Sequence, residues 1–300
     1  MFEDFIMPGS NATLAIVILI PLMFAVIGIL HARRRRTTME DYLTARNTVG
    51  TLVGTASLVA TALGAWILFS PAETGTFAGL PGILGYALGS AAPLFAFIFI
   101  GKRLRELMPE GHSLTEYVWH RFGPGTYTSV LIVMVFYMFV FLTAELTGIA
   151  LAVHLIAGTP LVVTAAIIGI TTVVYTAYGG LKATIFTDTV QFIFIVPLLL
   201  LAFAGVIIGL DGPNNVIENV YEQVPDLLTL NNLSGWETGI ALAIAILSAN
   251  LFHQGYWQRV YASKDLKSFK TSFMLLLSVV ALIFSRDKRY SKVSMLAGKI

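Results

Sequence analysis

The sequence predicts an all-α membrane protein with about eight transmembrane helices, on three observations. Apolar residues fill 56% of the 300 positions and charged residues only 12%, against roughly 25% charged in a soluble domain. Mean hydropathy is +0.80. One globular core cannot hide that much apolar surface, because cores stop growing near this chain length. Apolar runs near the roughly 20 residues that a bilayer crossing requires recur along the chain.

The runs follow in order. The first, 12–30, comes after an acidic start (Glu3, Asp4) with no basic region and no small-residue cleavage site, so it reads as a retained span rather than a signal peptide. The second, 51–72, mixes small and hydroxyl residues and stops at Ser70-Pro71, ahead of Gly75 and Gly79, where the third begins and runs over 79–100. The fourth, 126–157, is long enough to tilt or to extend beyond the bilayer, as is the sixth, 181–210. Between the fifth, 160–178, and the sixth, Gly179-Gly180 supplies a reverse turn. The seventh is 236–252, and the eighth, 270–285, is short for a crossing.

Charge sets the sidedness. Arg33 to Arg36 and Arg46 lie in 31–50, Lys102, Arg103, Arg105 and Arg121 in 101–123, and Lys182 in the turn after span five. Arg259, Lys264, Lys267 and Lys270 lie in 254–270, whereas 1–11, 73–78, 158–159 and 211–235 hold no Lys or Arg. This alternation is the positive-inside pattern, and it puts the N-terminus outside. The segment 286–300 breaks it with Arg286, Lys288, Arg289, Lys292 and Lys299. Either span eight does not cross, or the chain is truncated and this basic tail is a non-native continuation; the resemblance described below favours the second.

Whole function classes drop out. With 19 Lys+Arg against 17 Asp+Glu, the chain is too balanced for a nucleic-acid binder. With no cysteine there is no disulfide, thiol catalysis or thiolate metal site. No ligand-spaced His/Asp/Glu cluster or nucleophile–base arrangement points to an enzyme.

Three features carry chemistry. The small-residue second span has two readings: close helix packing, or a discontinuous helix whose carbonyls near Gly64 face a cation or substrate at mid-membrane. Asp188, about two turns into span six, pairs with Lys182 or a neighbouring helix, or serves an ion path. Glu145, deep in span four, is protonated, paired or facing water, with a structural or ion-path role. His154, near the outer end of that span, reads as interfacial.

The stretch Tyr175-Thr-Ala-Tyr-Gly-Gly-Leu-Lys-Ala-Thr-Ile-Phe-Thr-Asp-Thr-Val-Gln191 resembles a signature of the sodium:solute symporter family, which includes proline, sugar, pantothenate and urea-active carriers. Asp41-Tyr-Leu-Thr-Ala-Arg46 and His253-Gln-Gly-Tyr-Trp-Gln-Arg259 agree in position, and Tyr-Trp-Gln-Arg leans towards the urea-active branch. The resemblance covers about 12–285. It implies a LeuT-like inverted-repeat fold in one transporter domain over 1–285. An extra first helix (12–30) would precede a complete first repeat (51–210) and the start of a second (236–285).

It implies sodium-coupled import of a small polar solute, urea-like, amino acid or other organic solute, by alternating access. The partners are the solute, Na+ as coupling ion and the lipid of a plasma or inner membrane. The alternatives are the sensor module of a symporter-like histidine kinase, or a non-functional fragment. Residue by residue, the resemblance puts half a sodium site on the backbone carbonyls of Ala60 and Leu63, and substrate contacts on Trp66, Ile67 and Asn250. Asn250 has a second reading as an interhelical hydrogen bond. Gating falls to Phe252 and His253, although His253 departs from the family's aromatic and is also read as a cytoplasmic-interface residue. Sugar carriers have a carboxylate and an amide where Trp66 and Ile67 stand, and proline carriers an aspartate at Ala62; both departures argue against those solutes.

Overall fold

The structure, a computed structural model, describes residues 10–33 and 38–285. The basic tail 286–300 lies outside the described residues. Ten α-helices follow in order: α1 Ser10–Arg33, α2 Met39–Leu43, α3 Thr51–Ala62, α4 Trp66–Leu107, α5 Leu114–Ala157, α6 Leu161–Gly209, α7 Pro213–Gln223, α8 Leu233–Leu251, α9 Gln254–Ala262 and α10 Leu266–Ser285, with one 3-10 turn at Pro225–Leu228. Three of the long helices are two segments in series. Each turns at a glycine in the positive-φ region: Gly79 (φ 60) in α4, Gly123 (φ 81) in α5 and Gly180 (φ 60) in α6.

Helix occupies each of the eight expected spans. Span two is α3 followed by the start of α4, spans five and six are the two arms of α6, and span eight is α10. At 20 residues, α10 is about 30 Å long, enough to cross. Lys267 and Lys270 in its first turns made its apolar run look shorter than the helix.

Helices meet through small residues. A Cβ added at Gly85 of α4 would land on the backbone of Gly239 in α8, and one at Gly235 on the Ala78 carbonyl. Close backbone approach of this kind drives helix association where both lipid and side chains are apolar. Around it sits an aromatic core in which Phe97 (α4), Trp257 (α9), Phe269 and Phe273 (α10) are fully buried; the Phe97 and Trp257 rings meet edge-on at 4.8 Å. The outer surface is apolar too, as Val162 at 79% and Ile208 at 76% exposure illustrate, which suits lipid rather than water.

The basic loops gather at one end. Lys182 pairs with Asp41 at 2.6 Å, and Tyr42 Oη donates to the Ala177 carbonyl. Arg46 donates to the carbonyls of Pro109 and Glu110, and Arg105 to Asn47 and the Val260 carbonyl. Backbone hydrogen bonds join 47–49 to 261–264. At the opposite end the 225–228 turn packs on Gly79, and the Trp236 indole donates to the Leu230 carbonyl. The positive-inside alternation is thus matched by a physical gathering of the same loops.

Candidate functional site

Two interrupted helices meet in the middle of the bundle. α3 ends at Ala62, and Leu63 leaves the helical region (φ −95, ψ 80) before α4 starts at Trp66. α8 ends at Leu251 and α9 starts at Gln254, bent by 51°. The two breaks are neighbours: a Cβ at Gly255 would lie 3.3 Å from the Thr61 methyl. The second span is therefore a discontinuous helix, and its small residues also serve packing.

At the first break the hydrogen-bond ladder opens. Among the described residues no backbone N–H donates to the carbonyls of Ala60, Thr61 or Leu63. The Ala62 carbonyl accepts from the Trp66 indole at 3.1 Å. The Ala65 N–H, which an unbroken helix would direct to Thr61, instead donates to Glu145 Oε2 at 2.6 Å. Glu145 thus has a partner, the N-terminus of the next half-helix. Gly64 has no room for a Cβ because the Glu145 carboxylate lies there.

A cavity of about 190 Å³ lies against both breaks. Thr61, Ala62 and Leu63 line it from α3, and Trp66 and Ile67 from the start of α4. Tyr86 and Ser90 line it from the return arm, Tyr137 and Phe141 from α5, Asn250 from α8, and His253 and Tyr256 from the second break. Trp66 stacks on Tyr86 with centroids 5.7 Å apart. Asn250 spends its amide nitrogen on the Ile246 carbonyl of its own helix, 2.9 Å away, rather than on a neighbouring helix.

The structure relocates several expected residues. His253 is 5% exposed: its ring packs on Phe141 and Tyr256, each at 4.9 Å, and its Nδ1 has no hydrogen-bond partner among the described residues. Phe252 packs against the aromatic core and is not in the cavity wall. Asp188 pairs with Arg259 of α9 (Oδ2 to Nη2, 2.6 Å), not with Lys182, and accepts from Ser57 Oγ at 2.7 Å. Arg259 Nε in turn donates to that Ser57 hydroxyl at 3.2 Å. His154 Nδ1 lies 3.0 Å from the Thr159 carbonyl at the end of α5.

Sequence reasoning missed Tyr86, Tyr137, Phe141, Tyr256, Ser57 and Arg259. Arg259 had a signal, since it closes the Tyr-Trp-Gln-Arg motif. The aromatics had none, because any apolar span carries such residues.

Comparison with known proteins gives a consistent picture. The profile of the Sodium:solute symporter family matches residues 42–286. The Spermidine transporter DUR31 of Candida albicans is 31% identical over 225 residues, which cover 75% of this chain and 42% of that protein. The Urea active transporter of Saccharomyces cerevisiae is 24% identical over 284 residues, covering 87% of this chain and 38% of its own length. The chain thus spans about two fifths of these relatives. Among solved structures, a substrate-bound, outward-open Na+-coupled sialic acid symporter superposes with a TM-score of 0.74 at 22% identity, over 91% of this chain and 58% of that one.

Proposed function

Because this chain belongs to the sodium:solute symporter family, we propose that it works as a sodium-coupled secondary transporter that imports a small polar solute by alternating access. One observation carries the reading: the second span is interrupted at 63–65, with carbonyls released from the ladder beside a cavity built from both broken helices. Sodium is a hard cation that takes oxygen ligands, and main-chain carbonyls serve where a helix is unwound. The carbonyls of Ala60 and Leu63 contribute half of that site.

The solute lies in the aromatic cavity against Trp66, Ile67 and Asn250. His253, in the cavity wall at the hinge of the second broken helix, acts in gating, and Phe252 follows it from the core side. Asp188 is a structural tie between α3, α6 and α9. Sodium binding favours the outward-open state, and solute binding then permits closure and inward opening. Nitrogen-rich solutes lead among the candidates, as relatives are named for urea and for spermidine. The chain sits in a plasma or inner membrane with its N-terminus outside and the Arg46, Arg105 and Lys182 end in the cytoplasm.

Uptake of labelled urea and a panel of small solutes into proteoliposomes tests the reading. An inward sodium gradient drives accumulation, and equimolar potassium or choline does not. Equal uptake in all three salts would remove sodium coupling and leave protons as the driving ion.

A further inference from the structure

The charge balance around the cavity narrows the solute class within that transport reading, on which this inference rests. Four helix ends meet at the two breaks. α3 and α8 finish there, each presenting its partial negative end, whereas the half-helix 66–78 and α9 begin there with partial positive ends. At about half an elementary charge each, the four cancel to a first approximation. The nearby guanidinium of Arg259 is held by Asp188. Apart from the proposed sodium ion itself, what is left is the carboxylate of Glu145.

A half-helix N-terminus at such a break is a natural receptor for an anionic solute group. Here that position is taken by the protein itself. Glu145 accepts the Ala65 N–H at 2.6 Å, and Gly64 leaves the room it needs. Leu63 and Trp66, on either side of this cap, both line the cavity, as does Phe141 one turn before Glu145 on α5. No cationic side chain lines the cavity among the described residues, whereas aromatic rings from α4, α5 and α9 do. Ring faces attract cations, most strongly where water is excluded. The carbonyl oxygen of Asn250, whose amide nitrogen is already used, adds an acceptor for N–H donors.

We propose that Glu145 is a specificity-determining residue: it closes the anion position at the broken helix, so that the cavity admits a small organic cation of the amine or guanidine type and rejects carboxylates.

The test uses the 300-residue chain in nanodiscs and three probes of similar size and different charge: propylguanidinium, propylurea and butyrate. Binding is read by equilibrium dialysis with each probe in labelled form, in sodium and in potassium. Affinity is expected to fall in the order cation, neutral, anion. In Glu145→Gln, which keeps an acceptor oxygen for the Ala65 N–H, the preference for propylguanidinium over propylurea drops on the order of tenfold. Glu145→Asp, which keeps the charge, retains the preference even where binding weakens. Butyrate binding the parent chain as tightly as propylguanidinium overturns the proposal, whatever the variants do. So does an unchanged cation-to-neutral ratio in Glu145→Gln with an unaltered melting temperature. Binding that is indifferent to sodium strikes the coupling reading instead and leaves the charge ranking standing.

Discussion

Replacing Asp188 by asparagine preserves volume and removes one charge from a closed triangle of buried groups. In the parent, Asp188 Oδ2 accepts from Arg259 Nη2 at 2.6 Å and from Ser57 Oγ at 2.7 Å, and Arg259 Nε reaches the same hydroxyl. The Arg259 and Asp188 side chains are 6% and 12% exposed, so water cannot replace the lost partner. Removing one member of a buried ion pair leaves the other charge uncompensated and costs about 3–5 kcal/mol. On the scale of about 2–4 °C per kcal/mol, the melting temperature in detergent falls by roughly 10 °C. Ser57→Ala removes one hydrogen bond to a charged group and costs less, about 1.5–3 kcal/mol. The double variant Asp188→Leu with Arg259→Met returns close to the parent, because an apolar pair of similar volume needs no charge compensation. The assay is thermal unfolding followed by tryptophan fluorescence, combined with a double-mutant cycle over Asp188→Asn and Arg259→Gln. Additive single effects in that cycle, or an Asp188→Asn cost below about 1 kcal/mol, would refute the reasoning.

Four further outcomes are expected. Gly64→Ala puts a methyl group where the Glu145 carboxylate lies, so solute binding falls with a destabilisation of about 1–3 kcal/mol for the displaced cap, read by binding and melting together. Gly180→Ala forces a Cβ into a backbone region reserved for glycine (φ 60, ψ −159) and against Tyr42; the strain alone costs about 1–3 kcal/mol, and a melting shift smaller than that of a Gly50→Ala control, where space is open, counts against it. At the end where the basic loops gather, His112 lies 2.9 Å from Glu40 and 3.1 Å from Glu116. These carboxylates, outweighing desolvation, raise its pKa, and its stabilisation is therefore complete below the unfolded pKa and lost as pH rises through the folded one; Glu40, held down to about 2 by bonds from Thr44 and Arg46, stabilises above its usual range and loses that only as pH falls towards 2. Melting temperature measured against pH shows both limbs, and His112→Gln flattens the upper one. In this cysteine-free chain, Arg103→Cys labels from the cytoplasmic side and Glu222→Cys from the outside; the reverse pattern inverts the topology.

Much of the architecture was legible in the sequence. The span boundaries, the glycine turn at 179–180 and the grouping of basic loops all followed from local sums of hydropathy and charge. The interruption near Gly64 was legible as one of two readings. The site was half legible. Trp66, Ile67 and Asn250 do line the cavity, but Phe252 does not, and His253 lines it from a buried helix break. The pairings were least legible. Asp188 was expected to pair with Lys182 or with a neighbouring helix, and the neighbouring helix supplies the partner, Arg259, some 70 residues on; Lys182 turns instead to Asp41. Glu145 was expected to be protonated, paired or facing water, and its hydrogen-bond partner is a backbone N–H that no pattern of side chains announces.

The amino-acid sequence by itself determined that the chain suits lipid, where its apolar helical runs fall, and that its basic loops alternate along it. Those are additive properties of short windows, set by the transfer of apolar groups from water and the cost of moving basic ones across a bilayer. Tertiary structure decided which polar groups inside the bundle find each other, because the lipid-facing and protein-facing sides of these helices are almost equally apolar. Only the packing of the backbones, permitted by glycine at the crossing points, brings Arg259 to Asp188 and Glu145 to the open end of a half-helix.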